Sequence, residues 1–147
     1  APYDAEGVTT KDRDLVTDGV LQGYILNSYS ARRLGLETTG NAGGVHNLIV
    51  SSNSGNLLTM IKQMDTGLLV NGLIGHGVNQ VTGDYSRGVV GFWVQNGKIV
   101  YPVHEITIAG NLKDLYKKIV LIGSDQDFRT GIHCGSILVD EMKIAGI

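Results

Sequence analysis

The sequence predicts a single domain of the α+β class that is mainly β, an antiparallel sheet with two short helices. Three observations carry this. Glycine supplies 21 of the 147 residues, about twice its usual share, and the glycines punctuate segments rich in Val, Ile and Leu, as turns and close strand packing require. Two dipeptides suited to tight hairpins, Asp18-Gly19 and Asn96-Gly97, each sit between apolar runs, and a type I′ turn needs positive φ at both central residues. Only two stretches keep a helical apolar period. The length fits one domain, 1–147, without repeats, low-complexity tracts or an internal linker.

Taken in order, residues 12–17 and 20–27 are predicted strands around Asp18-Gly19. Ser28 is placed to cap a short turn over residues 29–34, which Gly35 ends. Residues 38–44 form an irregular loop, and 45–51 a strand. Leu57, Leu58, Met60, Ile61 and Met64 then recur at helical spacing, with Ser54 or Asn56 as cap and Gly67 as stop. Residues 68–74 return to strand, followed by a long glycine-punctuated stretch from Gly75 to Gly88.

Residues 89–95 and 98–103 straddle Asn96-Gly97, the strongest short-range hairpin signal in the chain. A two-residue loop places Val94 opposite Ile99 and Phe92 opposite Tyr101 on one face, with Trp93 opposite Val100 on the other. Both faces are apolar, so the hairpin is expected to be covered on both sides, by its own core and by another domain or subunit. Pro102, lacking a donor, belongs at an edge or bulge. Leu112, Leu115, Tyr116 and Ile119 mark the second helix, capped by Asn111, with Asp114 in its first turn and Lys117 and Lys118 at its end. Residues 120–122, 136–140 and 142–145 close the chain as strands.

Charge and composition exclude several classes. Twelve Lys and Arg face 14 Asp and Glu, a net charge of -2, so no clustered basic face marks direct nucleic-acid binding. One cysteine, Cys134, allows no internal disulfide and suits a reducing compartment. No apolar run is long enough to span a membrane, and the amino terminus does not resemble a signal peptide. The expectation is a soluble cytoplasmic protein. The first residue is Ala1, which suggests that something upstream has been removed.

The chemistry motifs are incomplete. His104-Glu105 invites a zinc helix, but H-E-x-x-H and H-E-x-x-x-H need a second histidine where Ile108 and Ala109 stand, and the surrounding segment alternates like a strand. Cys134 adjoins His133, yet neighbours on a strand point to opposite faces, so that histidine is poorly placed to activate the thiol. Gly83 to Gly88 has the first half of a phosphate-loop spacing, with Val89-Val90 where Lys and Ser/Thr would stand. Gly75-His76-Gly77 lacks the third glycine of a dinucleotide fingerprint. The acid pairs Asp12/Asp14, Asp125/Asp127 and Asp140/Glu141 read as solvated turns and edges. No catalytic residue and no metal ligand is assigned, and no cofactor is expected in this chain.

Longer blocks add a resemblance. The stretch Val81-Thr-Gly-Asp-Tyr-Ser-Arg-Gly-Val-Val-Gly-Phe-Trp-Val-Gln-Asn-Gly97 resembles the PmbA/TldE signature of the TldD/PmbA family of bacterial metallopeptidases. So do Tyr101-Pro-Val-His-Glu-Ile-Thr-Ile-Ala-Gly-Asn-Leu-Lys-Asp114, Tyr3-Asp-Ala-Glu-Gly7, Tyr29-Ser-Ala-Arg-Arg-Leu-Gly35 and the segment from Cys134 to Gly146. Family members are much longer, so the resemblance implies a carboxy-terminal domain whose amino-terminal domain is absent from this chain. It also implies a twisted antiparallel sheet or incomplete barrel.

By the same resemblance, the chain is a non-catalytic partner subunit. The TldD-type catalytic subunit carries H-E-x-x-x-H and a cysteine as zinc ligands, and the two subunits enclose a cleft for unfolded peptides. An older family label is modulator of DNA gyrase. Zinc is expected in the partner subunit, and this chain alone is expected to be inactive. An extended peptide needs strand edges and glycine-lined surface, so Gly83, Asp84, Tyr85, Ser86, Arg87 and Gly88 are the candidate substrate or partner contacts. The alternatives are a stand-alone scaffold domain that presents a sheet edge, and a thiol hydrolase built on Cys134.

Overall fold

Both predicted tight turns form. Asp18 and Gly19 have φ of 51° and 77°, and Asn96 and Gly97 have 52° and 67°, as a type I′ hairpin demands. A computed structural model describes residues 1–146, and its backbone contacts divide into two compact units, Ala1–Leu48 and Ile49–Ile147. Among the described residues no helix is long and apolar enough to cross a membrane.

In the first unit, β1 (Val16–Thr17) and β2 (Val20–Leu21) pair around the Asp18-Gly19 turn and are far shorter than predicted. The predicted turn at residues 29–34 is instead a helix, α1 (Ser28–Leu34), so the described residues form three helices, not two. Its cap is Asn27 and not Ser28. The Asn27 side chain accepts from the Ser30 N–H at 2.8 Å, and the Ser30 hydroxyl accepts from the Asn27 N–H at 3.1 Å, a reciprocal capping box. Gly35 ends the helix at φ 67°.

Asp4 organises the rest of this unit. It is buried, and its two oxygens accept the N–H groups of Glu6, Val8 and Ala42, each at 2.9 Å. Burial opposes its ionisation, but those three donors, with His46 nearby, hold the carboxyl below the usual carboxylate range.

The second unit is built on a four-stranded antiparallel sheet ordered β10-β6-β5-β4. Its strands are β4 (Gly67–Ile74), β5 (Asp84–Gln95), β6 (Lys98–Asn111) and β10 (Lys143–Ala145). After β3 (Leu48–Ile49) comes α2 (Leu57–Met64), capped by Asn56, whose side chain accepts from the Thr59 N–H at 3.1 Å. The helix stops at Asp65 (φ 60°), two residues before the predicted glycine. α3 (Leu112–Lys117) follows β6 directly, with Asn111 as its cap; Ile119, expected in this helix, begins β7 (Ile119–Ile122). β7 pairs with β9 (Ile137–Val139). β8 (Ile132–His133) had no sequence signal, and the Val50 N–H donates to the His133 carbonyl at 2.9 Å. The sheets do not close into a barrel, because β4 and β10 stand at opposite ends of the main one.

The hairpin register is partly as predicted. Val94 faces Ile99, but Trp93 faces Tyr101 and Phe92 faces Pro102, because Val100 is an extra residue in a bulge. A second bulge sets His104 and Glu105 opposite Val90, with Glu105 at φ 60°. Val89 and Val94, five residues apart on β5, are both fully buried, and Ile106, Ile108, Met60 and Ile61 are buried with them. Pro102 lies where β10 does not reach, since β10 pairs only with residues 107–109. Its missing donor therefore costs no ladder bond there.

Gly91 shows how close the sheet runs. A Cβ there would collide with the Leu69 carbonyl, whereas one at Gly72 would meet nothing within 4 Å. Gly91→Ala should therefore lose about 1–3 kcal/mol, the usual cost of overpacking, while Gly72→Ala should stay within about 0.5 kcal/mol of wild type. Denaturant midpoints decide it, and equal midpoints for the two variants would refute the close approach. Asp4 offers a pH test. Because its folded carboxyl is lowered, its contribution is present above the unfolded pKa of about 3.9 and is lost as pH falls through the folded value. The stability gap between wild type and Asp4→Asn should be full near neutrality and close under acid; a gap independent of pH would refute the role.

Candidate functional site

The glycine-punctuated stretch folds back along the strand that follows it. Gly75 (φ 83°) turns the chain out of β4. The Ser86 N–H then donates to the Gly77 carbonyl at 2.7 Å, Val78 bridges Tyr85, and the Asn79 N–H donates to the Asp84 carbonyl at 2.8 Å. Asn79 closes the tip: its side chain accepts from the N–H groups of Val81 and Thr82 at 2.9 and 3.1 Å. Its carbonyl accepts from the Gly83 N–H at 2.8 Å.

Asn111 ties this loop to α3. Its amide donates to the Thr82 carbonyl at 3.0 Å and to the Asp84 carboxylate at 3.3 Å, while its oxygen accepts the Lys113 N–H at 3.1 Å. The Gly83 carbonyl accepts the Leu112 N–H at 2.7 Å. Gly83 sits at φ 81°, and a Cβ there would press on the Asn111 amide at 3.1 Å, so conformation and space both favour glycine. The sequence marks Asn111 as a cap. Its second role depends on a partner 29 residues away, which periodicity does not show.

The structure places five of the six predicted contact residues on one strand, β5, with Gly83 immediately before it. Asp84, Tyr85, Ser86, Arg87 and Gly88 pair with residues 107–111 of β6. On the other side, the folded-back loop and the end of β4 pair with residues 84–86 and Gly88. Their main chain is thus engaged on both flanks, and what they present is side chains. Asp84 and Ser86 are exposed on one face; Tyr85 and Arg87 are half-buried on the face that carries Val89. The Arg87 Nε donates to the Ile74 carbonyl at 3.3 Å. Tyr85 borders a shallow depression with His76, Val78 and Asn79. Unused strand edge lies elsewhere, along β4.

The histidines and the cysteine do not converge. His104 and Glu105 are exposed on their bulge, and His76 is exposed in its loop. The His133 ring packs edge-on against Phe128, with centroids 5.1 Å apart. The Cys134 thiol is half-buried and donates to the Gly135 carbonyl at 3.3 Å. Burial pushes its pKa up, and the negative charge of Asp125 adds to that. Asp125 accepts the Ser136 hydroxyl at 2.6 Å and the Ser136 N–H at 3.2 Å. Asp127 is held at about 2 by its hydrogen bonds and ion pair with Arg129. Among the described residues no group of three or more His, Cys, Asp or Glu could hold a metal ion. The described residues therefore do not supply the three protein ligands that a catalytic zinc takes, a metal that the resemblance assigns to the partner subunit.

Fold and loop together define a mainly β α+β domain whose glycine-bounded strand entry is locked to a helix by one asparagine. The model of the PmbA/TldA metallopeptidase C-terminal domain matches residues 1–146, and the chain belongs to that family. It is 56% identical to Metalloprotease PmbA of Escherichia coli O157:H7 over 145 residues, 99% of this chain and 32% of that protein. Against the Metalloprotease PmbA homolog of Haemophilus influenzae it is 54% identical, again over 99% of the chain and 32% of the relative. The chain thus spans about a third of the length of the curated relatives it matches. Among solved structures, a proposed modulator of DNA gyrase from Bacteroides thetaiotaomicron superposes with a TM-score of 0.92 at 31% identity, over 100% of this chain and 33% of that one. TldE from Thermococcus kodakarensis gives 0.85 at 27% identity, over 99% and 36%.

The thiol environment is directly testable. Asp125→Asn removes a negative charge that disfavours the thiolate, so the Cys134 pKa should fall and alkylation at neutral pH should quicken severalfold. Wild-type Cys134 should alkylate more slowly than free cysteine. A pH–rate profile that is unchanged by the substitution would remove Asp125 as a cause.

Proposed function

We propose that this chain is the carboxy-terminal domain of a partner subunit that carries no catalytic zinc and works with a TldD-type catalytic subunit on unfolded peptides in the cytoplasm. The observation that carries this is uncovered apolar surface. The β5–β6 hairpin contributes directly: Ile99, Val100 and Tyr101 are each about half exposed (49%, 53% and 51%). Contiguous apolar surface of this kind marks an interface.

The comparisons support the same direction. The relatives are named metalloproteases, and one structural neighbour is named TldE. In this proposal the zinc belongs to the TldD-type partner; among the described residues no group of three or more His, Cys, Asp or Glu could hold a metal ion. The near-neutral charge favours no direct contact with nucleic acid, and the gyrase-modulator description of a neighbour is accommodated by action on peptides. Asp84, Ser86 and the half-buried Tyr85 and Arg87, bounded by Gly83 and Gly88, are the proposed contacts to partner or substrate.

Co-expression with a TldD-type subunit tests the proposal. A stable complex should form, and Val100→Asp with Tyr101→Asp should weaken it at least tenfold without lowering the melting temperature. Cys134→Ser should leave the peptidase activity of the complex within about twofold of wild type. Failure of the wild-type proteins to associate would reject the partner role, and a hundredfold activity loss in Cys134→Ser with assembly intact would place the thiol in the chemistry.

A further inference from the structure

Two sheet edges in the second unit are left open toward one cavity. β4 ends the four-stranded sheet, and β9 pairs on one side only, with β7. Among the described residues neither strand has a main-chain hydrogen bond on its other side. A cavity of about 400 Å³ is lined by residues 66–70, the start of β4, and by residues 136–142, which contain β9. Only alternate residues of a strand line a face. Consecutive residues line the cavity here, so main chain as well as side chains of both strands border it, with α2, Ile108 and Ile144 completing the wall.

The lining has a definite chemistry. Met60, Met64 and Met142, all three methionines of the chain, border it together with Leu68, Ile108 and Ile144. Unbranched thioethers adapt to differently shaped apolar groups. The charged lining residues are Asp140 and Glu141, without a Lys or Arg among them. Glu141 is paired with Lys118 at 3.0 Å. Asp140 has no side-chain partner among the described residues.

From these we propose that the slot receives an extended peptide as an added strand along β4, with one apolar side chain in the cavity and a Lys or Arg two residues away meeting Asp140. This rests on the reading that the protein handles extended peptides, and it adds where they lie and which side chains are selected. An open edge supplies main-chain hydrogen bonds, and a pocket beside it supplies preference for alternate side chains. The volume is within the range of about 300–1000 Å³ typical of ligand sites. Two residues is the spacing that returns a side chain to the same face. With Glu141 already paired to Lys118, Asp140 is the acid that selects a cationic over an anionic neighbour.

Fluorescence anisotropy of the purified protein, without any catalytic partner, tests the slot with a labelled heptapeptide Gly-Ser-Leu-Thr-Lys-Ser-Gly. It should bind at least tenfold tighter than its Leu→Ser and Lys→Glu analogues, and tighter by the same margin than peptides N-methylated at alternate amides in one of the two phases. Asp140→Asn should abolish the preference for Lys over Glu while leaving the melting temperature unchanged. Met64→Trp, which fills the cavity, should abolish binding; if that variant does not fold, Asp140→Asn and the methylated peptides carry the test. Equal binding of methylated and parent peptides would show a cavity ligand instead of an added strand and overturn the proposal, as would no binding at all. A subunit that assembles with its TldD-type partner yet binds none of these peptides would reject the slot and leave the partner role standing.

Discussion

The β5–β6 ladder is the constraint on which the second unit depends. It runs from Asp84 paired with Asn111 to Gln95 paired with Lys98 around the Asn96-Gly97 turn. β4 attaches to one side of it and β10 to the other. The two largest fully buried side chains, Val89 and Val94, both lie on β5, and Ile106 and Ile108 face inward from β6. A single hydrogen bond contributes only about 1 kcal/mol net. Burial of particular side chains is what fixes the register, since a slip by one residue would turn each apolar group to the other face.

The bulges reconcile that ladder with its sequence. Val89 and Val94 stand an odd number of residues apart on β5, so they belong to opposite faces of the strand, and both are buried. Extra residues at Val100 and at His104-Glu105 adjust the partner strand and increase local twist. Glu105 takes up the second of these in a conformation that non-glycine residues seldom adopt. The cost is borne on the exposed side, away from the packed valines. One consequence is the apolar strip at Ile99, Val100 and Tyr101, which the chain does not cover itself.

Glycines serve contact as well as turning. Gly91 lets β4 and β5 approach across the Leu69 carbonyl, and Gly83 lets Asn111 bind the loop tip and cap α3 at once. These local choices leave a hydrogen-bonded sheet with β4 and β10 at its ends.

What the sequence determined by itself is the local chemistry. Asn96-Gly97 and Asp18-Gly19 specified their turns because few residues tolerate positive φ. The apolar period with Asn56 specified α2, and Asn111 was legible as a cap because a side-chain acceptor must meet free N–H groups at a helix start. The family resemblance was legible because it rests on long contiguous blocks. Tertiary structure alone decided the rest. Bulges, the two-sided pairing of residues 84–88, the short β8 and the cavity between β4 and β9 arise from residues far apart in the chain, where no periodicity records which neighbour arrives. Asn27 took the cap from Ser28 because Ser30 completed a reciprocal pair with it. His133 and Cys134 parted because Phe128 holds the ring and Asp125 stands near the thiol, contacts that depend on how the loop folds and not on which residue follows which.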